Sequence, residues 1–142
     1  RRMAIPMNYE TGFDWDGTAE NGVLKIEGLN DIDMGSAEDT GALNPENMLL
    51  GAAEACHFST FMAIAKNSKV DVKAYHSTAS GELSFTKGEG YQFERIVVKP
   101  VVTVPESDLA RAERVLEKAH TACLVTRTLN CECVMEVEWI TV

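Results

Sequence analysis

From Asn44 to Asn67 the chain reads as one helix with no polar face. Asn44 suits an N-cap, Pro45 the first helical position and Glu46 the positive end of the helix dipole. Between Met48 and Ala65 apolar or small residues fall on every side, and Asn67 with Ser68 ends the run. A helix of that kind is buried on most sides rather than laid on a surface. The rest of the fold therefore has to be built around it.

The remaining segments supply that cover. Val70 to Phe85 and Tyr91 to Val104 read as two strands joined across the turn at Lys87-Gly88-Glu89-Gly90, with the β-branched run Ile96-Val97-Val98 in the second. Pro100 points to an edge or a bulge there. After Pro105, Glu106 and Asp108 open a second helix whose stripe is Leu109, Ala112, Leu116, Ala119 and Cys123, with charge elsewhere. The last segment alternates: Cys131, Cys133, Met135, Val137 and Trp139 on one face, Glu132, Glu136 and Glu138 on the other. Nearer the start, Tyr9 to Glu27 holds two short strand-like runs around Gly17 and the Asn21-Gly22 hairpin signal. Asn30 to Leu43 is acidic, aperiodic and read as a loop. The sum is an α+β domain, an antiparallel sheet on a buried central helix and a second, amphipathic helix. No repeat or linker interrupts residues 1–142, so a single domain is expected.

With 142 residues, 45% of them hydrophobic, the chain can bury a core and is not of the disordered class. A net charge of −9 argues against a nucleic-acid partner. No apolar run is free of charged or polar interruption over a bilayer's thickness, and Arg1-Arg2 does not open a secretory leader. A cytoplasmic protein with no membrane partner is expected. Its four cysteines then read as free, buried or catalytic thiols rather than a disulfide framework.

Cys56 lies about three turns into the first helix. It is either a small buried hydrophobe or a reactive thiol. The second role needs a thiolate, which burial disfavours. The helix dipole fades within its first turn, so a cation must come from elsewhere. Cys123 sits near the C-terminal end of the second helix, where the dipole also disfavours a thiolate; that suits a core position or a thiol that keeps its proton until needed. Cys131 and Cys133, on one face of a strand, would have Cα atoms roughly 6.6–6.8 Å apart, the outer limit for a disulfide, and read as core residues.

His57 points about 100° around the helix from Cys56, and His120 shares a face with Cys123. With His76 they form no metal motif. Asp14, Asp16 and the acids from Asp31 to Asp39 lack calcium-loop spacing, and a lone Cys-x-Cys lacks the second pair that zinc requires. No metal and no cofactor is expected.

Asn44-Pro45-Glu46 opening an apolar helix that carries Cys56, then Ala119-His120-x-x-Cys123 closing a later one, resembles the osmotically induced protein C / organic hydroperoxide resistance family. The similarity runs from about Tyr9 to Trp139. It implies an intertwined homodimer with two sites at the subunit interface. It also implies a thiol peroxidase acting on organic hydroperoxides, with Cys56 attacking the peroxide and Cys123 resolving the sulfenic acid as a disulfide. A dithiol reductant, lipoyl-linked in some members, would restore both. Glu46 matches the glutamate that holds an arginine over the attacking sulfur. Here the chain departs from the pattern: between Arg2 and Asn44 it has no arginine and one lysine, Lys25. Leu124 stands where a proline is common and Thr126 where a serine is. Arg127, Arg95 or a partner-chain group would have to supply the cation. A member that binds an apolar ligand or senses oxidation without efficient turnover is the alternative.

Overall fold

The computed structural model describes residues 5–36, 38 and 41–142. The expectations that touch Arg1, Arg2 and Asp39 lie outside the described residues. The chain forms two compact units, Arg1–Met48 and Leu49–Val142.

The first unit holds a three-stranded antiparallel sheet of β1 (Gly12–Asp14), β2 (Gly22–Lys25) and β3 (Ile32–Met34). Asn21-Gly22 opens β2 rather than making a two-residue turn, because β1 ends at Asp14 and the connection is longer. Asp16 closes that connection instead: its carboxylate accepts from the Thr18 and Ala19 backbone N–H groups, both at 2.8 Å. β3 lies inside the segment read as a loop. Three residues are too few to show a period, and only pairing with β2 makes a strand of them. Asn44 caps the first helix as expected, its Oδ1 accepting from the Asn47 N–H at 2.7 Å.

That helix, α1 (Pro45–Asn67), runs into the second unit. Its 23 residues and apolar composition would by themselves suit a membrane span. Within the second unit it is the helix on which the sheet packs, and its buried stripe is Ala53, His57, Phe61 and Ala65, one residue per turn. Cover on the remaining faces is not supplied within this unit: Phe58 is exposed. The helix stops where Lys69 takes a left-handed conformation and Ser68 N–H and Val70 N–H fold back to Ile64 and Ala65 carbonyls.

β4 (Ala74–Thr86) and β5 (Gly90–Val104) form the long hairpin, with a bulge at Glu82/Leu83. A 3₁₀ turn (Glu106–Asp108) leads into α2 (Leu109–Ala122), followed by the short α3 (Leu124–Thr128). The final alternating segment is two strands, not one: β6 (Glu132–Met135) pairs with β5 at Arg95–Val98 and β7 (Glu138–Thr141) pairs with it at Val101–Val104. Both pairings are parallel, as a crossover through α2 and α3 permits. Pro100 explains the interruption. It sits in the central strand, but in the stretch of β5 that lies between the two short strands, where its missing N–H breaks no ladder.

Two clusters make the core of this unit. Phe61 and Ala65 of α1 meet Val102 and Val104 of β5 and Ala112, Val115, Leu116 and Ala119 of α2. Nearer the start of α1, Ala53 meets Ile96 and Val98, flanked by Leu129, Cys131 and Cys133.

Candidate active site

The second unit brings Cys56 and Cys123 together. Their side chains come close enough for each thiol to bear on the other's ionisation, although one belongs to α1 and the other follows α2. Cys56 is partly buried and has Thr60 Oγ1, one turn on, at 4.0 Å. Cys123 is fully buried. It is not inside a helix: its extended backbone (φ −60°, ψ 111°) makes it both the C-cap of α2 and the N-cap of α3. The periodicity of the second helix extends through Cys123 in sequence, so the break was not legible there.

Burial pushes the Cys123 thiol up, against the Thr126 hydroxyl and backbone N–H that pull it down; the neighbouring Cys56 sulfur pushes it up further. Cys123 therefore keeps its proton at neutral pH. The two thiols also differ in access, Cys123 being fully buried and Cys56 only partly.

A second link joins the same two helices. His57 is buried, with one ring nitrogen 2.9 Å from the Ala53 carbonyl and the other 2.9 Å from His120 Nδ1; the rings stack at 5.2 Å between centroids. The tautomers follow. A carbonyl can only accept, so His57 Nδ1 carries the proton and Nε2 is bare. His120 Nδ1–H must then donate to it. Helical geometry placed His57 away from Cys56 and His120 beside Cys123, but the contact between the rings depends on how α1 and α2 pack.

Burial, and the neighbouring His120, hold His57 below the ordinary histidine value, the Ala53 carbonyl opposing them. The unfolded chain thus takes up a proton on this residue more readily than the folded one. Its stabilising contribution is complete above about pH 6.5 and is lost as the pH falls from there through the depressed folded value. Urea unfolding midpoints should drop between pH 7.5 and pH 5.5, and His57→Phe should flatten that drop.

Tyr75 of β4 was not singled out by the sequence. Its ring packs edge-on against Phe58 at 5.1 Å and tilted against Phe61 at 5.9 Å. Its hydroxyl is buried and has no hydrogen-bond partner among the described residues. Burial, reinforced by Glu54 and Cys123, pushes it up to about 12, so it stays a proton donor. Glu54 accepts from Ser77 Oγ at 2.7 Å.

The expected cation sources are placed as follows. Arg95 stands 3.8 Å from Glu132 across the β5–β6 pair. Arg127 is exposed on α3. In the first unit Lys25 is paired with Asp31 at 2.8 Å. Glu46, also there, has one carboxylate oxygen, Oε2, buried without a hydrogen-bond partner among the described residues. Among the described residues no cluster of three or more His, Cys, Asp or Glu side chains could hold a metal ion. A groove of about 690 Å³ runs between Leu116, Glu117 and Thr121 of α2 and Met135, Val137 and Trp139, and its walls contain none of the cysteines.

The family model described as OsmC-like protein matches residues 35–138, most of the chain and both cysteine-bearing segments. This chain belongs to the OsmC-like family. An uncharacterized protein of Bacillus subtilis, YmaD, is 28% identical over 128 residues, covering 86% of this chain and 82% of its own. An OsmC-like protein of unknown function from Vibrio cholerae shares the fold with a TM-score of 0.81 at 18% identity, over 93% of this chain and 99% of that one. An organic hydroperoxide resistance protein from Legionella pneumophila, also described as a predicted redox protein, does so with a TM-score of 0.71 at 22% identity, over 94% and 98%. The α+β class is thus the class of the OsmC-like folds. Cys56 and Cys123 both fall within the matched residues.

Proposed function

We propose that this OsmC-like protein is a thiol peroxidase that reduces organic hydroperoxides through Cys56 and Cys123. The observation that carries the reading is the closeness of the two thiols across α1 and the end of α2, with burial holding the proton on Cys123. In the first step the Cys56 thiolate attacks the outer peroxide oxygen; a sulfur–oxygen bond forms, the oxygen–oxygen bond breaks and the alkoxide leaves as an alcohol. The Tyr75 hydroxyl, a donor without a partner, supplies a hydrogen bond to an oxygen bound at the thiols. In the second step Cys123 attacks the Cys56 sulfenic acid, a disulfide forms and water leaves. An external dithiol, lipoyl-linked in some members of the family, then reduces the disulfide and is itself oxidised to a disulfide.

Apolar surroundings favour an alkyl hydroperoxide over hydrogen peroxide, because the alkyl group gains from burial. Phe58 and Phe61 beside Tyr75 support that choice. Support for a homodimer comes from α1, which is apolar on all sides yet leaves Phe58 43% exposed, and from the exposed Leu83, Phe85 and Tyr91 of the hairpin. The cytoplasm, where thiols stay reduced, fits four free cysteines.

Tyr75→Phe should lower peroxide turnover by about tenfold to a hundredfold while leaving the thermal melt in place, since it removes a donor that holds no other group. An unchanged rate would remove the hydroxyl from the mechanism.

The second reading, a binder or oxidation sensor without efficient turnover, is favoured by one observation: among the described residues, the Glu46 oxygen expected to hold an arginine is buried and has no partner. The rate of Cys56 alkylation against pH separates the readings. An inflection well below pH 8.5 marks an activated thiolate and supports the peroxidase; one above it supports the binder. Release of one alcohol and one Cys56–Cys123 disulfide per equivalent of an alkyl hydroperoxide is the direct test of the chemistry.

A further inference from the structure

Along the buried stripe of α1 one position is not apolar. Ala53, Phe61 and Ala65 are hydrocarbon, but His57, between them, carries two polar nitrogens into the same buried face. Burying such a group costs free energy unless each polar atom finds a partner. Both do: the Ala53 carbonyl and His120 Nδ1 each stand 2.9 Å away. A leucine would fill the stripe without that demand. What the histidine adds is direction, because a hydrogen bond constrains distance and angle where apolar packing tolerates slippage.

The place of this bond in the fold gives the direction a use. The apolar cluster that joins α1 to α2 runs as far as Phe61 on one helix and Ala119 on the other. Among the described residues, the next cluster along α1, at Ala53, contains none of α2. Cys56 and Cys123 both lie past the end of the shared cluster, and there the His57–His120 bond ties the helices. Each ring is coupled through the backbone to one thiol. His57 follows Cys56 directly in α1. The His120 carbonyl accepts from the Cys123 N–H at 3.4 Å where α2 ends, and the Cys123 carbonyl accepts from the Arg127 N–H at 3.0 Å where α3 begins. Cys123 thus stands at the break between two helices, and the ring one turn before it is anchored to α1.

We propose that the His57–His120 hydrogen bond is a clamp that positions Cys123 beside Cys56 for disulfide closure. His57 and His120 are positioning residues and touch no substrate. The role rests on the peroxidase reading for its physiological oxidant, but closure itself does not. Oxidised dithiothreitol is the probe. Both thiols give up a proton and an electron, a sulfur–sulfur bond forms between Cys56 and Cys123, and the ring disulfide of the probe opens to a dithiol that takes up both protons. A clamp that keeps the two sulfurs near each other raises their effective concentration and favours the protein disulfide.

The test equilibrates the full chain with mixtures of oxidised and reduced dithiothreitol at pH 7, quenches with acid, alkylates, and measures the Cys56–Cys123 disulfide by mass spectrometry. His120→Leu removes the donor and should lower the equilibrium constant for disulfide formation about tenfold, a rise of about 30 mV in reduction potential. His120→Asn keeps an N–H donor at the same branch of the side chain and should stay within about twofold of the parent. The paired replacement His57→Leu/His120→Leu leaves no buried nitrogen unpaired, so it should show the tenfold loss even where His120→Leu alone fails to fold. A merely structural pair would lower the thermal midpoint but leave the equilibrium in place, because oxidised and reduced chains would be weakened alike. An equilibrium constant within about twofold of the parent in the paired variant overturns the proposal. So does a loss as large in His120→Asn as in the leucine variants, or the absence of a Cys56–Cys123 disulfide in the parent. A tenfold effect with dithiothreitol in a chain that consumes no hydroperoxide leaves the clamp standing and removes the peroxidase reading instead.

Discussion

Cys56→Ser is expected to reduce organic-hydroperoxide consumption to the rate of protein-free buffer. The reaction needs a polarizable anion at that atom, and a serine hydroxyl is neither ionised at neutral pH nor able to accept oxygen as a sulfenic acid does. Cys123→Ser should behave differently. The first step survives, one alcohol is released per chain, and Cys56 stays as a sulfenic acid that a carbon-nucleophile probe can capture. Sustained turnover with a dithiol reductant should then fail. The contrast follows from the environment of Cys123: burial and the neighbouring Cys56 sulfur keep it protonated, so it waits as the resolving group. Undiminished turnover in Cys56→Ser would rule this mechanism out, and a full catalytic cycle in Cys123→Ser would dissolve the assigned division of labour.

Phe61→Ala is expected to lose about 3–5 kcal/mol of stability, and the thermal midpoint should fall by about 10 °C or more. Phe61 is fully buried where α1, β5 and α2 meet, among Ala65, Val102, Val104, Leu116 and Ala119. These are rigid elements, and truncation leaves a cavity they cannot easily close. The same ring packs against Tyr75, so the variant should also loosen the orphaned hydroxyl. A melt within a few degrees of the parent, recorded at equal protein concentration, would show that the cluster repacks.

Much of this was legible in the residues. Asn44-Pro45-Glu46 announced α1 because capping chemistry is local, and the Asn44 side chain does what its position suggested. The hairpin of β4 and β5 and the stripe of α2 were visible because hydrophobic periodicity records which side of an element faces the core. The C-terminal alternation was real but misleading in one respect. It carried no sign that the strand breaks opposite Pro100, or that both pieces run parallel to β5, since pairing partners leave no trace in a strand's own pattern.

The sequence determined the main helices and the long hairpin, the family and the two cysteine-bearing segments, all of which depend on contacts a few residues apart or on motifs. Only the tertiary structure decided that Cys56 and Cys123 come close, that the His57 and His120 rings are hydrogen-bonded, and that the Tyr75 hydroxyl is buried. The reason is physical: those placements are set by how helices and sheet pack, and close packing fixes such distances jointly, through many side chains at once.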